Sequence, residues 1–233
     1  MRYLITFEGI PDNISNTDMA SWIYAVLDKV SPEYAAMLHD KGYPVPDRPA
    51  KFVKPFVFSM LYPTRKGYAL KVSSLDGRFN YIFTQGLNNP PDLKGMKVTG
   101  INYRPPLVPE RTKSGDFRAI CFTLSPVIIR THDGYMPLDI ENKIVNDSLR
   151  ISIRDRFHAV MGRPVDDDYI KVYTRDTTNV KVNVKSHNFY GTVGRIILYG
   201  SGDMLVSALN LGLGAKNALG FGLLEKHDFR VKR

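Results

Sequence analysis

At 233 residues, 43% of them hydrophobic, the chain is long enough to bury a core in one large domain or two small ones, which excludes a disordered polymer. Thirty-two lysines and arginines against 23 aspartates and glutamates leave a formal charge of +9, spread almost evenly along the chain, so the excess belongs to a folded surface that favours a polyanion rather than to a basic tail. The single cysteine, Cys121, excludes an intrachain disulfide and a multi-cysteine zinc site and points to a reducing, cytoplasmic setting.

The opening residues, MRYLITFEGI, read as a strand over 2–7 and a turn. They are too short, and Glu8 too polar, for a secretory signal, and no apolar run approaches the roughly 20 residues a bilayer needs, so the chain is expected to be soluble and untargeted. Ile23, Val26, Leu27 and Val30 at helical spacing predict a helix over 16–30. Ser31-Pro32 restarts a helix that Gly42 stops, which puts His39 in its last turn. A proline-rich loop over 43–49 precedes strands predicted at 56–61, 68–72, 78–84 and 96–103, with at most a short helix within 85–95.

A second cycle begins near Phe117, with a strand through Leu124, a Ser125-Pro126 break and an extended run over 127–130. A long helix over 138–161 carries Ile140, Ile144, Val145, Leu149, Ile151 and Phe157 as its stripe and ends at Gly162. Strands at 169–174, 180–185 and 193–198, a helix over 202–211 and a last strand after Gly220 complete the chain. Both halves run strand, helix, strand, strand, helix-like segment, strand. That order predicts an α+β protein of two tandem ferredoxin-like domains, antiparallel sheets with helices on one face, over 1–116 and 117–233.

The most distinctive segment is GLGAKNALGFG, in which Gly212, Gly214, Gly220 and Gly222 surround Lys216 and Asn217. A dinucleotide fingerprint needs a glycine where Asn217 stands, and a Walker loop needs serine or threonine after the lysine. What remains is either a tight turn or a bare backbone that approaches a phosphate chain, with Lys216 adding charge.

With its G-x-G-x5-G-x-G spacing, this segment resembles the C-terminal signature of CRISPR-associated repeat RNA-processing endoribonucleases. Leu38-His39-Asp40, the strand Lys54-Pro55-Phe56-Val57-Phe58-Ser59 and the run Phe122 to Val127 are similar to further parts of that family, so the likeness covers nearly the whole chain. The resemblance implies tandem RNA-recognition-like domains and cleavage of CRISPR repeat RNA without metal or cofactor, leaving a 2′,3′-cyclic phosphate and a 5′-hydroxyl. It implies, as partners, repeat RNA and an interference ribonucleoprotein, with the protein a monomer or homodimer. A departure from the resemblance is the second helix of the first domain, reduced here to the 85–95 segment, so any RNA contacts the resemblance would place on it are not expected.

By the same resemblance Tyr24, His39 and Lys54 are the catalytic candidates. Metal-free cleavage needs a proton carrier and a fixed positive charge beside the phosphorane, and histidine and lysine supply them. Tyr34 and Lys51 are the reserves. Arg111, Lys113, Lys181, Lys185 and the Gly212–Gly222 loop are candidates for RNA binding. His132, His158, His187 and His227 form no zinc-like spacing, and Asp166-Asp167-Asp168 reads as a solvated turn. The rival readings are a non-catalytic RNA-binding scaffold subunit and a small-molecule enzyme on the same fold.

Overall fold

The computed structural model describes residues 1–11 and 13–227. In the first half, β1 (Arg2–Glu8) leads into α1 (Asn16–Asp28) and α2 (Pro32–Asp40). There follow a hairpin of β2 (Tyr43–Val45) and β3 (Arg48–Val53), the short strands β4 (Phe56–Phe58) and β5 (Tyr62–Thr64), then β6 (Gly67–Ser74), α3 (Gly77–Gly86) and β7 (Lys97–Arg104). Antiparallel pairing gives the order β4-β6-β1-β7, with β5 also on β6. Tyr3, Ile5 and Phe7 alternate along β1 and are buried against Ile23 and Val26 of α1 and Phe79 and Phe83 of α3, so the helices cover one face.

Local chemistry explains the helix starts. Ser15 and Asp18 form a reciprocal capping box, the Ser15 hydroxyl accepting from the Asp18 N–H at 3.2 Å and the Asp18 carboxylate from the Ser15 N–H at 2.8 Å. Proline at the first position starts α2, where Ser31 makes no side-chain cap. The strand predicted at 78–84 is instead α3, the second helix of the first half. Its aromatic run has strand-like propensity, but Phe79, Ile82, Phe83 and Gly86 fall on one helical face and Asp76 caps the Arg78 N–H at 3.0 Å. The predicted erosion of that helix to 85–95 is therefore wrong. Gly86 is needed there because a Cβ would lie 2.1 Å from the Val26 carbonyl oxygen where α3 crosses α1. Residues 43–49, expected as loop, contribute β2 and the start of β3, with a register shift between Pro44 and Val45. The strand expected over 56–61 is shorter, β4 ending at Phe58, and a separate strand, β5, starts at Tyr62.

In the second half β8 (Glu110–Arg111) pairs with the start of β9 (Phe117–Thr123), and β10 (Ile128–Thr131) forms a hairpin with β11 (Gly134–Pro137). Then come α4 (Lys143–Met161), β12 (Ile170–Val184), β13 (His187–Gly200), α5 (Gly202–Leu211) and β14 (Leu224–Lys226). The order β12-β13-β9-β14 repeats that of the first sheet, and both are ferredoxin-like. The helix α4 starts five residues later than predicted because Asn142 caps it, accepting from Ile144 N–H at 3.0 Å, while Leu138 N–H is taken by Thr192. The three strands predicted over 169–198 are two long ones. Polar residues 175–179 break the alternation, yet the ladder continues through a bulge that Gly194 admits, since a Cβ there would lie 2.5 Å from Asp176 O.

The halves are tied by buried polar contacts. Arg2 donates to the carbonyls of Leu209 at 3.1 Å and Leu224 at 2.8 Å and to Glu225 at 3.2 Å, and Lys71 reaches the same Glu225 carboxylate at 2.6 Å. Among the described residues no helix is long and apolar enough to cross a membrane.

Candidate functional site

His39 occupies the last turn of α2, where the helix dipole favours positive charge. Its side chain is 70% exposed, with Nδ1 3.0 Å from an Asp40 carboxylate oxygen. The Tyr24 ring, from α1, meets the His39 imidazole edge to face at 5.2 Å between centroids and Phe56 at 5.7 Å. Burial raises the Tyr24 phenol above its ordinary value, so at neutral pH it is a hydrogen-bond donor. Lys54, between β3 and β4, donates to the backbone carbonyls of Leu38 and, at 2.7 Å, of His39. It caps the end of α2 and anchors the turn that bears the histidine. Burial pulls the Lys54 ammonium below its ordinary value, and the Asp40 carboxylate partly offsets this.

The reserves are engaged elsewhere. Tyr34 is buried, and its hydroxyl donates to Asp76 at 2.8 Å beside Tyr43, which donates to the same oxygen at 2.5 Å. Burial, followed by Tyr43 and Asp76, raises the Tyr34 phenol well above its ordinary value. Lys51 forms an ion pair with Asp155 at 3.0 Å.

The glycine-rich loop packs inward. Gly212, Gly214, Gly220 and Gly222 are buried at positive φ, and a Cβ would lie 2.2 Å from Ile128 O at Gly214 and 1.9 Å from Leu213 O at Gly222. Close approach of backbone to protein is thus what these glycines permit, and bare backbone facing solvent is not what they provide. Asn217 is also buried and staples the loop by donating to Phe221 O at 2.9 Å. Arg156, buried on α4, donates to the carbonyls of Leu211 at 3.2 Å, Gly212, and Gly214 at 2.5 Å. Burial lowers its pKa to about 10, which leaves it charged at neutral pH.

What the loop presents is Ala215 to Leu219, led by Lys216 in the left-handed region, its ammonium 4.7 Å above the Tyr135 ring and 5.3 Å from Phe189. This segment and the pair Tyr24 and His39, with Lys54, line one cleft of about 470 Å³, which also takes in Arg130, Tyr135 and Arg156. The candidates from the two ends of the chain therefore converge. Lys181 and Lys185 are exposed on the β12–β13 ribbon, whose Phe189 contacts Lys216 and Phe221. Arg111 and Lys113 are exposed beside β8, and neither lines the cleft.

Arg130, Tyr135 and Arg156 went unnoticed in the sequence because no local pattern distinguishes them. A second missed set lies on the face of the second sheet away from α4 and α5. There the register aligns Lys171, Tyr199 and Arg118 in one row, Tyr173, Ile197 and Ile120 in the next, and Arg175, Arg195 and Phe122 in a third. The period-two alternation of basic and aromatic residues at 171–175 and 195–199 was its signal.

The other titratable groups are engaged otherwise. His132 pairs with Asp133 at 3.1 Å and His158 with Asp47 at 3.2 Å, and Asp168 is held by Arg150 at 2.5 Å. Among the described residues no group of three His, Cys, Asp or Glu is placed to hold a metal ion. Cys121 is buried, which pushes its thiol up to about 12.

The family model "CRISPR associated protein Cas6, C-terminal" matches residues 108–226, just over half of the chain. No curated protein sequence matches it. Among solved structures, one described as the characterisation of a Cas6-related gene from Pyrococcus furiosus is 22% identical over 99% of each chain, with a TM-score of 0.78. A RAMP protein binding different RNA substrates is 21% identical over 98% of this chain and 100% of its own, with a TM-score of 0.75. A Cas6 product complex is 19% identical over 97% of this chain and 99% of its own, with a TM-score of 0.70. With the family model spanning both the glycine-rich loop and the second sheet, the chain belongs to the Cas6 family of CRISPR-associated repeat RNA-processing proteins.

Proposed function

We propose that this protein is a metal-independent endoribonuclease that cuts CRISPR repeat RNA at the cleft between its two halves, divided between β7 and β8. The observation that carries the reading is the convergence of Tyr24, His39, Lys54 and Lys216 on one cavity. The ribose 2′-hydroxyl attacks the adjacent phosphorus and loses its proton, and the 5′ oxygen leaves as that P–O bond breaks and gains one. A 2′,3′-cyclic phosphate and a 5′-hydroxyl result. His39 exchanges protons with the reacting oxygens, and Tyr24, held protonated beside it, donates to a phosphate oxygen. The Lys54 ammonium has three N–H groups, of which two hold α2 and one remains for the phosphorane. Lys216, Arg130, Lys181 and Lys185 meet phosphates, the glycines shape the loop that carries Lys216, and exposed aromatics such as Tyr173 stack unpaired bases. Arg111 and Lys113 extend this basic surface outside the cleft. The site of action is the cytoplasm, alone or within an interference ribonucleoprotein.

The test is cleavage of labelled repeat RNA in excess EDTA. Cutting should persist, and one 2′-deoxy substitution before the scissile phosphate should stop it while leaving binding nearly intact. Loss of cutting in EDTA with recovery in magnesium, or normal cutting of the deoxy substrate, contradicts the mechanism. The commitment of Lys54 to backbone carbonyls favours one rival, a non-catalytic scaffold in which that lysine is purely structural. Retention of the RNA without any cutting supports it.

The buried Tyr34 distinguishes the two tyrosines. Tyr34→Phe should lower stability by about 1–3 kcal/mol, because a buried carboxylate loses a donor, and leave single-turnover cleavage within about threefold of the parent. Thermal unfolding and a cleavage time course check this. A stable Tyr34→Phe protein with cutting abolished would move the catalytic assignment to Tyr34.

A further inference from the structure

Both walls of the cleft are held by neighbouring residues of one helix. Arg156 of α4 binds the carbonyls of the glycine-rich loop, and Asp155, 3% exposed, accepts from Arg48 at 2.9 Å and Lys51 at 3.0 Å. Those two cations belong to β3, which ends at Val53, so Lys54 follows directly from the strand that Asp155 grips. Arg154 also contacts the carboxylate, at 3.2 Å, and His158 of the same helix reaches Asp47 in the β2–β3 turn at 3.2 Å. The hairpin of the first half is thus docked onto the second half by charge. Burial on its own would raise the Asp155 carboxyl, yet the hydrogen bonds from Lys51 and Arg48 outweigh it and hold it below the ordinary carboxylate range.

A buried ion cluster is a poor device for stability, because removing the charges from water costs about what their attraction returns. It is a good device for register. The geometry points to Asp155 as a positioning residue: it fixes β3, and through it Lys54, against the loop wall, and it withholds Arg48 and Lys51 from the RNA phosphates. This rests on the cleft being the cleavage site. It also carries a signature that a merely structural residue lacks, since losing the carboxylate releases two cations at the edge of the cleft, where Lys51 already lines the wall.

Asp155→Asn, close to the same shape, is compared with the parent and with His39→Ala. The readouts are the single-turnover rate at saturating repeat RNA and the dissociation constant over a range of salt. The expected result is a rate at least ~10-fold lower, with affinity unchanged or tighter and a salt slope steeper by roughly one to two units as the freed cations meet phosphate. Asp155→Glu, which keeps the charge, should recover much of the rate. Should Asp155→Asn not fold, Lys51→Gln leaves Arg48 on the carboxylate and should slow the saturated rate several-fold with little loss of affinity.

A folded Asp155→Asn with the parental rate, or with affinity and rate falling together, overturns the positioning role, as does a parental rate in Lys51→Gln. These outcomes leave the cleavage reading intact if the parent cuts and His39→Ala does not. A parent that does not cut overturns the cleavage reading, and the positioning role with it.

Discussion

His39→Ala should slow single-turnover cleavage of repeat RNA by roughly 10²-fold or more, the order a positioned general acid or base contributes, while changing RNA affinity only a few-fold. The asymmetry follows from the position of the ring. It is 70% exposed at the mouth of the cleft, touching Tyr24 edge-on and Asp40 through Nδ1, so its removal deletes a proton carrier and disturbs little of the core. Lys54→Ala should differ in kind. Its ammonium closes the carbonyl end of α2, so this variant loses stability and disturbs the turn that bears His39 as well as losing charge beside the phosphate. Parallel cleavage, binding and thermal unfolding measurements separate the two. A folded His39→Ala protein that cuts at the parental rate removes the assigned role.

Gly214→Ala should be strongly destabilising. The residue lies at φ 84°, and the added Cβ would sit 2.2 Å from Ile128 O, a backbone atom of β10 that already accepts the Ala215 N–H at 2.7 Å. Overpacking and the left-handed penalty together cost roughly 3 kcal/mol or more, which in a chain of this size lowers the melting temperature by about 6–12 °C. RNA affinity then falls only because the loop that presents Lys216 moves. Lys216→Ala should give the complement, a weaker and less salt-dependent complex with the melting temperature within about 2 °C of the parent. Denaturation curves with binding isotherms decide. An unchanged melting point for Gly214→Ala with weakened RNA binding would mean that the glycine faces the phosphate chain after all.

The positions of β1, the starts of α1 and α2 and the extent of α5 were legible in the sequence because each rests on neighbouring residues. The proline at the start of α2 is such a local signal, and so is Gly162 at the end of α4. What misled was composition without context. Arg78 to Thr84 is aromatic and β-branched enough for a strand, and only its packing on α1, through Gly86, makes it a helix. The 43–49 segment carries three prolines that suggest a loop, yet it begins a hairpin because Arg48 and Lys51 find Asp155 about a hundred residues away. For the site, family likeness and spacing led to Tyr24, His39, Lys54 and Lys216. Nothing local could indicate that Arg156 would hold the loop, or that the four glycines would face protein rather than solvent. Both depend on contacts between distant parts of the chain.

The most direct test of the cleavage account is the chemical identity of the product ends. Repeat RNA cut by the protein in EDTA should yield, by mass spectrometry, one fragment ending in a 2′,3′-cyclic phosphate and another beginning with a 5′-hydroxyl, and His39→Ala should yield neither. A 5′-phosphate with a 3′-hydroxyl would mean that water and not the neighbouring ribose attacks, and bound but uncut RNA would mean that the protein is a scaffold; either result contradicts the account.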